Sequence, residues 1–182
     1  MGVIRAKKFT FYRLLLERSE LPFTIVDQLA CLVFTEVPVK YSYEAGQFAE
    51  KQRNNLLLSE TSFYFETVYS HPSKIDFAAR AKALGYAVIM VVIHLNHAEL
   101  NAARVAQRVS EGGHSVPTPK VISRIPRMLA QVKASIPLCN QVRILDNSSA
   151  EDPFRPVVTI RNGGVQQHQS PLPGWAAELL DW

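Results

Sequence analysis

The strongest constraint on the fold is the apolar segment Ala87 to Leu95 (AVIMVVIHL), which is rich in valine and isoleucine. A run that is apolar at both odd and even positions is typical of a strand buried on both faces. A helix is predicted just before it, because Ser70 and Pro72 suit a helix start and Gly85 suits the position after a helix end. The sequence therefore predicts an α/β fold in which crossover helices pack on a sheet.

The rest of the chain alternates between strand composition and helical periodicity. β-branched and aromatic runs predict strands, whereas apolar residues spaced three and four apart predict helices. Pro126 is expected to bend or interrupt the helix that contains it. The other predicted strands are Pro22–Asp27, Ser62–Val68, Val142–Leu145 and Pro156–Arg161, and the other predicted helices are Phe11–Arg18, Tyr43–Leu58, Asn96–Val109, one that begins at Thr118, and the tail from Gly174.

The composition predicts one globular domain over residues 1–182. Apolar residues make up 47% and charged residues 20% of the chain, which excludes a disordered or fibrous protein. No apolar run approaches the roughly 20 residues of a membrane span, and the first residues lack the apolar core of a secretory signal. Cys31 and Cys139 are too few for a disulfide framework, so we expect a cytoplasmic protein without membrane contact.

Two acidic residues occur at the ends of predicted strands. Glu66 closes an apolar strand, and carboxylates at the carboxyl ends of strands in open α/β sheets face the ligand crevice. Asp27 ends the segment FTIVD in the same way, where it can act as a general base or a metal-linked carboxylate. The alternatives are an exposed edge position for Glu66 and a helix N-cap for Asp27. We assign no metal-ligating residue.

Arginines flank a glycine-containing loop, EGGHSVPTP, which includes His114. Arg104 and Arg108 share one helix face, and Arg124 and Arg127 share another, because residues three or four apart are helical neighbours. Planar guanidinium groups suit phosphate oxygens, and the loop can work as a lid, in which His114 either touches the substrate or faces water. The alternative is a solvated basic face. Nucleic acid is not expected as a partner, because no aromatic residues are interleaved with these arginines.

Several motifs, taken in order, resemble the zeta toxin family of P-loop kinases. The best matches are SFYFETVYSHPSKIDFAARAKALG, RVAQRVSEGGHSVPTPKVISRIPR and the turn LDNS, with LPFTIVDQLA earlier in the chain. The resemblance implies a P-loop kinase-like three-layer sandwich with a mostly parallel sheet and a helical lid. It also implies transfer of the ATP γ-phosphate to a hydroxyl of a nucleotide-sugar such as UDP-N-acetylglucosamine, and an antitoxin protein as a possible partner.

The resemblance also implies roles for individual residues. Asp27 matches the base that takes the proton of the substrate hydroxyl. Glu66 and Thr67 match residues that hold the sugar nucleotide. Arg108 and Arg124 match lid residues that contact phosphates, with Arg104 and Arg127 as the alternatives. Such an assignment fits phosphoryl transfer, in which positioning and charge neutralisation supply most of the catalysis.

The start of the chain departs from the family pattern. If Gly2–Thr10 is aligned with the phosphate loop, Lys8 falls on the essential lysine and Thr10 also matches, so both would contact ATP. Arg5 and Lys7, however, replace loop glycines that let backbone N–H groups surround phosphate. Phe9 replaces the hydroxyl residue that binds Mg²⁺, and a phenyl ring cannot ligate that ion.

The alignment also predicts that the first central strand of the sheet is missing. A mis-called gene start, a degenerate pseudokinase and a rearranged sheet are the three explanations, of which we favour the first two. The leading hypothesis for function is a nucleotide-sugar kinase that uses ATP and Mg²⁺. The alternative is a catalytically impaired remnant that binds a nucleotide-sugar or a partner protein. An anion- or nucleic-acid-binding module is the third hypothesis.

Overall fold

A computed structural model of the chain describes residues 23–24, 42–95, 118–149 and 151–181, which form a mixed α/β structure. The described residues up to Val68 belong to one compact unit, and those from Tyr69 onward belong to a second. Over the described ranges, no helix is both long enough and apolar enough to cross a membrane.

The described part of the first unit contains two short parallel strands and one long helix. Strand β1 (Phe23–Thr24) pairs in parallel with β2 (Tyr64–Phe65), and helix α1 (Ser42–Leu58) lies between them in sequence. The helix confirms the prediction for residues 43–58. At its end, the Leu56 carbonyl accepts hydrogen bonds from the Ser59 hydroxyl at 2.7 Å and from the Ser59 N–H at 3.1 Å, so Ser59 satisfies an acceptor of the last helical turn.

The second unit is built on a four-stranded sheet with the strand order β3-β4-β5-β6. Strands β3 and β4 are parallel, whereas β4–β5 and β5–β6 are antiparallel. This sheet is therefore mostly antiparallel, and the expectation of a mostly parallel sheet is not met here. Its elements are α2 (Ser73–Ala83), β3 (Ile89–His94), α3 (Thr118–Ser135), a 3-10 helix (Ile136–Leu138), β4 (Gln141–Asp146), β5 (Arg155–Arg161), β6 (Gly164–Gln167) and α4 (Gly174–Leu180).

Two short connections explain why β4 pairs with β5, and β5 with β6, in an antiparallel direction. Residues 147–154 link β4 to β5 and are too few for a crossover, which needs a dozen residues or more. The turn between β5 and β6 consists of Asn162 and Gly163, with φ values of 49° and 82°. Positive φ at both turn positions is the type I′ geometry that joins antiparallel strands. Strand β6 was not predicted.

Helix α2 ends as predicted but begins differently. Gly85 has a φ of 86°, its N–H bonds to the Lys82 carbonyl, and the Tyr86 N–H bonds to the Ala81 carbonyl, both at 3.0 Å. This pair of bonds is the Schellman motif, which favours glycine at the left-handed position. At the other end, the prediction that Ser70 caps the helix is wrong. The backbone N–H of Ser73 instead donates to His71 Nδ1 at 3.2 Å.

Helix α3 runs without a break through Pro126, so the expected interruption does not occur. Its apolar stripe reaches the core in its second half, where Val132 is 2% exposed, whereas Ile122 is 43% exposed. The core joins α3, the sheet and α4, which supplies Trp175 among its buried residues. The buried members are Val92, Val132, Ile136, Val142, Ile144, Val157, Val158, Ile160, Trp175, Ala176 and Leu179.

Candidate functional site

Glu66 and Thr67 directly follow β2 in the first unit. Phe23 is paired with Tyr64 and Thr24 with Phe65 in a parallel register, so the two strands end at the same edge of their small sheet. Glu66 and Thr67 are both half-buried. Asp27 follows β1 by three residues in the sequence, but it lies outside the described residues. The structure thus places Glu66 where a strand end meets the end of a parallel neighbour, which is where ligands bind in open α/β sheets.

A buried arginine lies beside this strand end. Arg53 of α1 is 6% exposed, and its guanidinium carbon lies 5.4 Å from the centroid of the Phe65 ring. The rings of Phe63 and Phe65 stack with their centroids 6.2 Å apart. A guanidinium over an aromatic face is attracted by the negative face of the ring, which offsets part of the cost of burying the charge. Sequence reasoning missed Arg53, because nothing in the pattern of α1 separates it from the exposed charges nearby.

Of the arginines predicted to contact phosphates, Arg124 and Arg127 are described, and both lie on α3. Arg124 is half-buried and Arg127 is exposed. The Arg127 side chain folds back along its own helix, where Nε donates to the Ser123 carbonyl at 3.0 Å and Nη2 donates to Ser123 Oγ at 3.2 Å. Six predicted site residues lie outside the described part of the chain, namely Lys8, Thr10, Asp27, Arg104, Arg108 and His114.

A second pair of polar residues lies at the carboxyl ends of β3 and β4, the two parallel strands of the four-stranded sheet. His94 ends β3, Asp146 ends β4, and the two residues are register partners. They are 4% and 6% exposed. The Asn147 N–H donates to the His94 carbonyl at 2.8 Å, which extends the hydrogen bonding between these strands by one residue into the turn.

The Asp146 carboxylate is held by hydrogen bonds on both oxygens. Oδ1 accepts bonds from the Ser148 N–H at 2.9 Å and from the Ser148 hydroxyl at 2.5 Å, and Oδ2 accepts one from Arg155 Nη2 at 3.3 Å. Burial raises the pKa of Asp146, but the bonds from Ser148 and Arg155 outweigh burial and hold that pKa below its ordinary value. Asp146 is therefore a carboxylate in the folded protein at neutral pH.

His94 lies against an aromatic ring as well as beside this carboxylate. The His94 and Trp175 ring centroids are 4.2 Å apart and the planes are tilted by 42°. Burial lowers the pKa of His94, and the Asp146 charge opposes that effect only in part. His94 is thus a buried strand residue that packs against Trp175. Asp146 was not predicted as a site residue, although a polar run directly after an apolar strand, DNSS, was a signal for it.

Within the ranges given above, no group of three or more His, Cys, Asp or Glu side chains is arranged to hold a metal ion. Among the residues predicted to contact ATP, only Arg127 is described, and its guanidinium is bonded to Ser123. No family model, no curated protein and no solved structure matches this chain.

Proposed function

We propose that the chain is a zeta-toxin-like kinase that transfers the γ-phosphate of ATP to a hydroxyl of a nucleotide-sugar such as UDP-N-acetylglucosamine. The observation that carries the proposal is the parallel pairing of β1 with β2. Asp27 and Glu66 follow the carboxyl ends of these two strands in the sequence. The resemblance gives these same two acids the roles of base and substrate ligand, so strand topology and motif order support one assignment.

Each residue has one task in this reaction. The Asp27 carboxylate accepts the proton of the attacking sugar hydroxyl, which then forms the new bond to phosphorus as the bond to ADP breaks. Glu66 and Thr67 accept and donate hydrogen bonds to hydroxyl groups of the substrate. The guanidinium groups of Arg108 and Arg124, with Arg104 and Arg127 as alternatives, neutralise phosphate charge. Lys8 and Thr10 contact the ATP phosphates, and His114 contacts the substrate from the lid.

The test of this proposal is phosphoryl transfer from radiolabelled ATP to UDP-N-acetylglucosamine. Replacing Asp27 by Asn removes the proton acceptor and should lower the rate at least about 100-fold. Because asparagine caps helices as well as aspartate does, this substitution leaves a capping role intact. Transfer at an unchanged rate in the Asp27→Asn variant would refute the assignment of the base.

Glu66 is tested separately by binding. Replacing Glu66 by Gln should weaken the binding of UDP-N-acetylglucosamine about ten-fold, since a charged hydrogen-bond acceptor becomes a neutral one. Glu50→Gln is the matched control, because Glu50 is an exposed acid of α1 in the same unit. Equal losses in both variants would mean that Glu66 has no specific contact with the ligand.

The second candidate function is a module that binds the nucleotide-sugar or a partner protein, such as an antitoxin, without catalysis. The observation that favours it is the sequence RAKKF, which puts Arg5, Lys7 and Phe9 where the family has loop glycines and a hydroxyl residue. Calorimetry separates the two candidates. Binding of UDP-N-acetylglucosamine without binding of ATP and Mg²⁺ supports the module, whereas tight binding of both supports the kinase.

A further inference from the structure

Strand β6 forms an open edge of the four-stranded sheet in the second unit. Among the described residues it is the last strand in the order β3-β4-β5-β6, and all of its residues, Gly164–Gln167, are exposed. An uncovered edge strand presents a row of backbone N–H and C=O groups to which another extended chain can bond. The groups that β6 offers at this edge follow from its pairing with β5.

Val165 and Gln167 direct their backbone groups away from β5. The His168 N–H donates to the Val157 carbonyl at 2.9 Å, so the backbone groups of His168 point towards β5. In an antiparallel ladder, successive residues direct these groups to alternate sides, and the two-residue turn at the other end sets the same alternation. Two N–H and two C=O groups consequently point from the edge to solvent, in the arrangement that an added strand requires.

The two faces of the sheet differ in character at this edge. Val165 is 44% exposed and is paired with Ile160, a buried core residue, so it extends the apolar face of the sheet to the edge. Arg161 lies on the opposite face, because successive residues of a strand alternate between faces. It is paired with Gly164, which has no side chain between Arg161 and the edge. An added strand therefore meets an apolar side chain on one face and a guanidinium on the other.

The face that carries Arg161 is basic. Arg143 lies on the same face, because its partner in β5 is Thr159, two residues before Arg161, and both arginines are exposed. Asp146 is the only acid in β4, β5 and β6. Among the described residues neither arginine has a carboxylate partner, and Arg161 makes one long bond of 3.4 Å to Gln141 Oε1. This face thus complements a negative charge.

We propose that the β6 edge binds an extended acidic segment of a partner protein, which adds a fifth strand to the sheet. The backbone of the segment bonds to Val165 and Gln167, its apolar side chains pack beside Val165, and an acidic side chain opposite Gly164 meets Arg161. The added strand lies about 10 Å from β5, a distance that an arginine and a glutamate side chain span together. This surface goes beyond the proposed function and includes none of the residues assigned to phosphoryl transfer.

The probe is a blocked seven-residue peptide in which valine and glutamate alternate, and the same peptide with glutamine in place of glutamate is its neutral counterpart. The glutamate peptide should slow the amide hydrogen exchange of Val165 and Gln167 at least about ten-fold, because two exposed N–H groups become hydrogen-bonded. The dissociation constant from NMR titration should be about two- to five-fold lower for the glutamate peptide than for the glutamine peptide. High salt should reduce this difference.

Two pairs of variants test the backbone and the charge separately. Val165→Pro removes one outward N–H but no hydrogen bond to β5, which is the kind of edge position that tolerates proline. It should raise the dissociation constants of both peptides about five- to ten-fold, whereas Val165→Thr keeps the N–H and is its control. Arg161→Gln should remove the preference for the glutamate peptide. Arg143→Gln is the matched control, because Arg143 is an exposed arginine of the same face, one strand further from the edge.

Each outcome supports or overturns the proposal. Unchanged exchange at Val165 and Gln167 with either peptide overturns the addition of a strand. Equal affinities for the two peptides, or an equal loss in Arg161→Gln and Arg143→Gln, overturn the acidic class of partner. Self-association in sedimentation that is lost in Val165→Pro assigns the edge to a second copy of the chain and overturns the proposal. Protection of both amides, with a preference that depends on Arg161, supports it. These measurements use neither ATP nor a nucleotide-sugar, so their outcome is independent of the proposed function.

Discussion

His94 and Asp146 are register partners at the last positions of two neighbouring parallel strands, and both are almost completely buried. A neutral imidazole and a carboxylate thus share the carboxyl end of β3 and β4. Their protonation states are set by different causes, since burial acts on His94 and hydrogen bonds act on Asp146. Four measurable consequences follow from these and other residues of the second unit.

The free energy of unfolding should fall as the pH is lowered below about 6.5. The pKa of His94 is lowered from its ordinary value of 6.5 in the folded state, so below that pH the unfolded chain binds the proton first. The contribution of His94 is therefore complete above pH 6.5 and is lost as the pH falls towards the folded-state pKa, with a slope of at most about 1.4 kcal/mol per pH unit.

Urea unfolding at several pH values between 8 and 5 measures this slope. His94→Phe keeps a ring against Trp175 but removes the titrating group, so its stability should depend less on pH over this range. An equally steep slope in the His94→Phe variant would show that other groups cause the dependence. Asp146 acts in the same direction at lower pH, because its lowered pKa gives stability that is lost below about 3.8.

Removing the Ser148 hydroxyl should cost more stability than removing the Arg155 guanidinium. The hydroxyl donates a 2.5 Å bond to a buried carboxylate, and such charge-assisted bonds contribute about 1.5–3 kcal/mol. Arg155 lies 3.3 Å from the same carboxylate, but its side chain is 50% exposed, so water screens the pair and about 0–1 kcal/mol is expected. Urea unfolding of Ser148→Ala and Arg155→Ala gives the ranking, and the reverse order contradicts it.

Lys133→Met should loosen the end of α4. The Lys133 ammonium donates to the carbonyl oxygens of Glu178, at 2.9 Å, and Asp181, and it places a positive charge at the helix C-terminus. A loss of about 1 kcal/mol is expected. Trp175 fluorescence reports the change, because this residue lies in α4. Lys120→Met is the control on an exposed part of α3, and a similar loss in that variant would contradict a specific role for Lys133.

Gly85→Ala should destabilise the protein by about 1 kcal/mol through backbone strain alone. The φ of Gly85 is 86°, but no atom lies within 4 Å of the position that an added Cβ would take. Gly174→Ala is the matched control, because it has the same open space without a positive φ. Chemical denaturation of both variants separates the two effects, and equal stability changes would exclude strain as the cause.

Much of the helical structure followed from the sequence because its signals are local. The helix 42–58 and the start of a helix at Thr118 agree with prediction. The position of Gly85 followed from the rule that glycine is favoured where the residue after a helix has a positive φ. The bond from the Ser73 N–H to His71 Nδ1 was missed because an imidazole nitrogen takes the place of the usual hydroxyl acceptor. Pro126 fits into α3 because tertiary packing of the second half offsets one missing hydrogen bond.

Strand β6 and the direction of the strands in the sheet do not follow from local signals, because both depend on pairing with other strands. The residues Gly164–Gln167 are all exposed, so they lack the alternating pattern that predicts a strand, and pairing with β5 alone defines them. The antiparallel return of β5 was predictable from the short link after Asp146, which leaves no room for a crossover helix. Of the polar residues at the strand ends of the two units, Glu66 was identified from the sequence pattern, whereas Asp146 was not, and Arg53 stands out only through its burial.

Pro126 lacks an N–H, so the carbonyl four residues earlier in α3 loses its usual donor. The next carbonyl along the helix, that of Ser123, accepts a hydrogen bond from the Arg127 guanidinium, which also donates to the Ser123 hydroxyl. An anion that binds this guanidinium therefore competes with Ser123, so its apparent affinity is lowered by the free energy of these two hydrogen bonds.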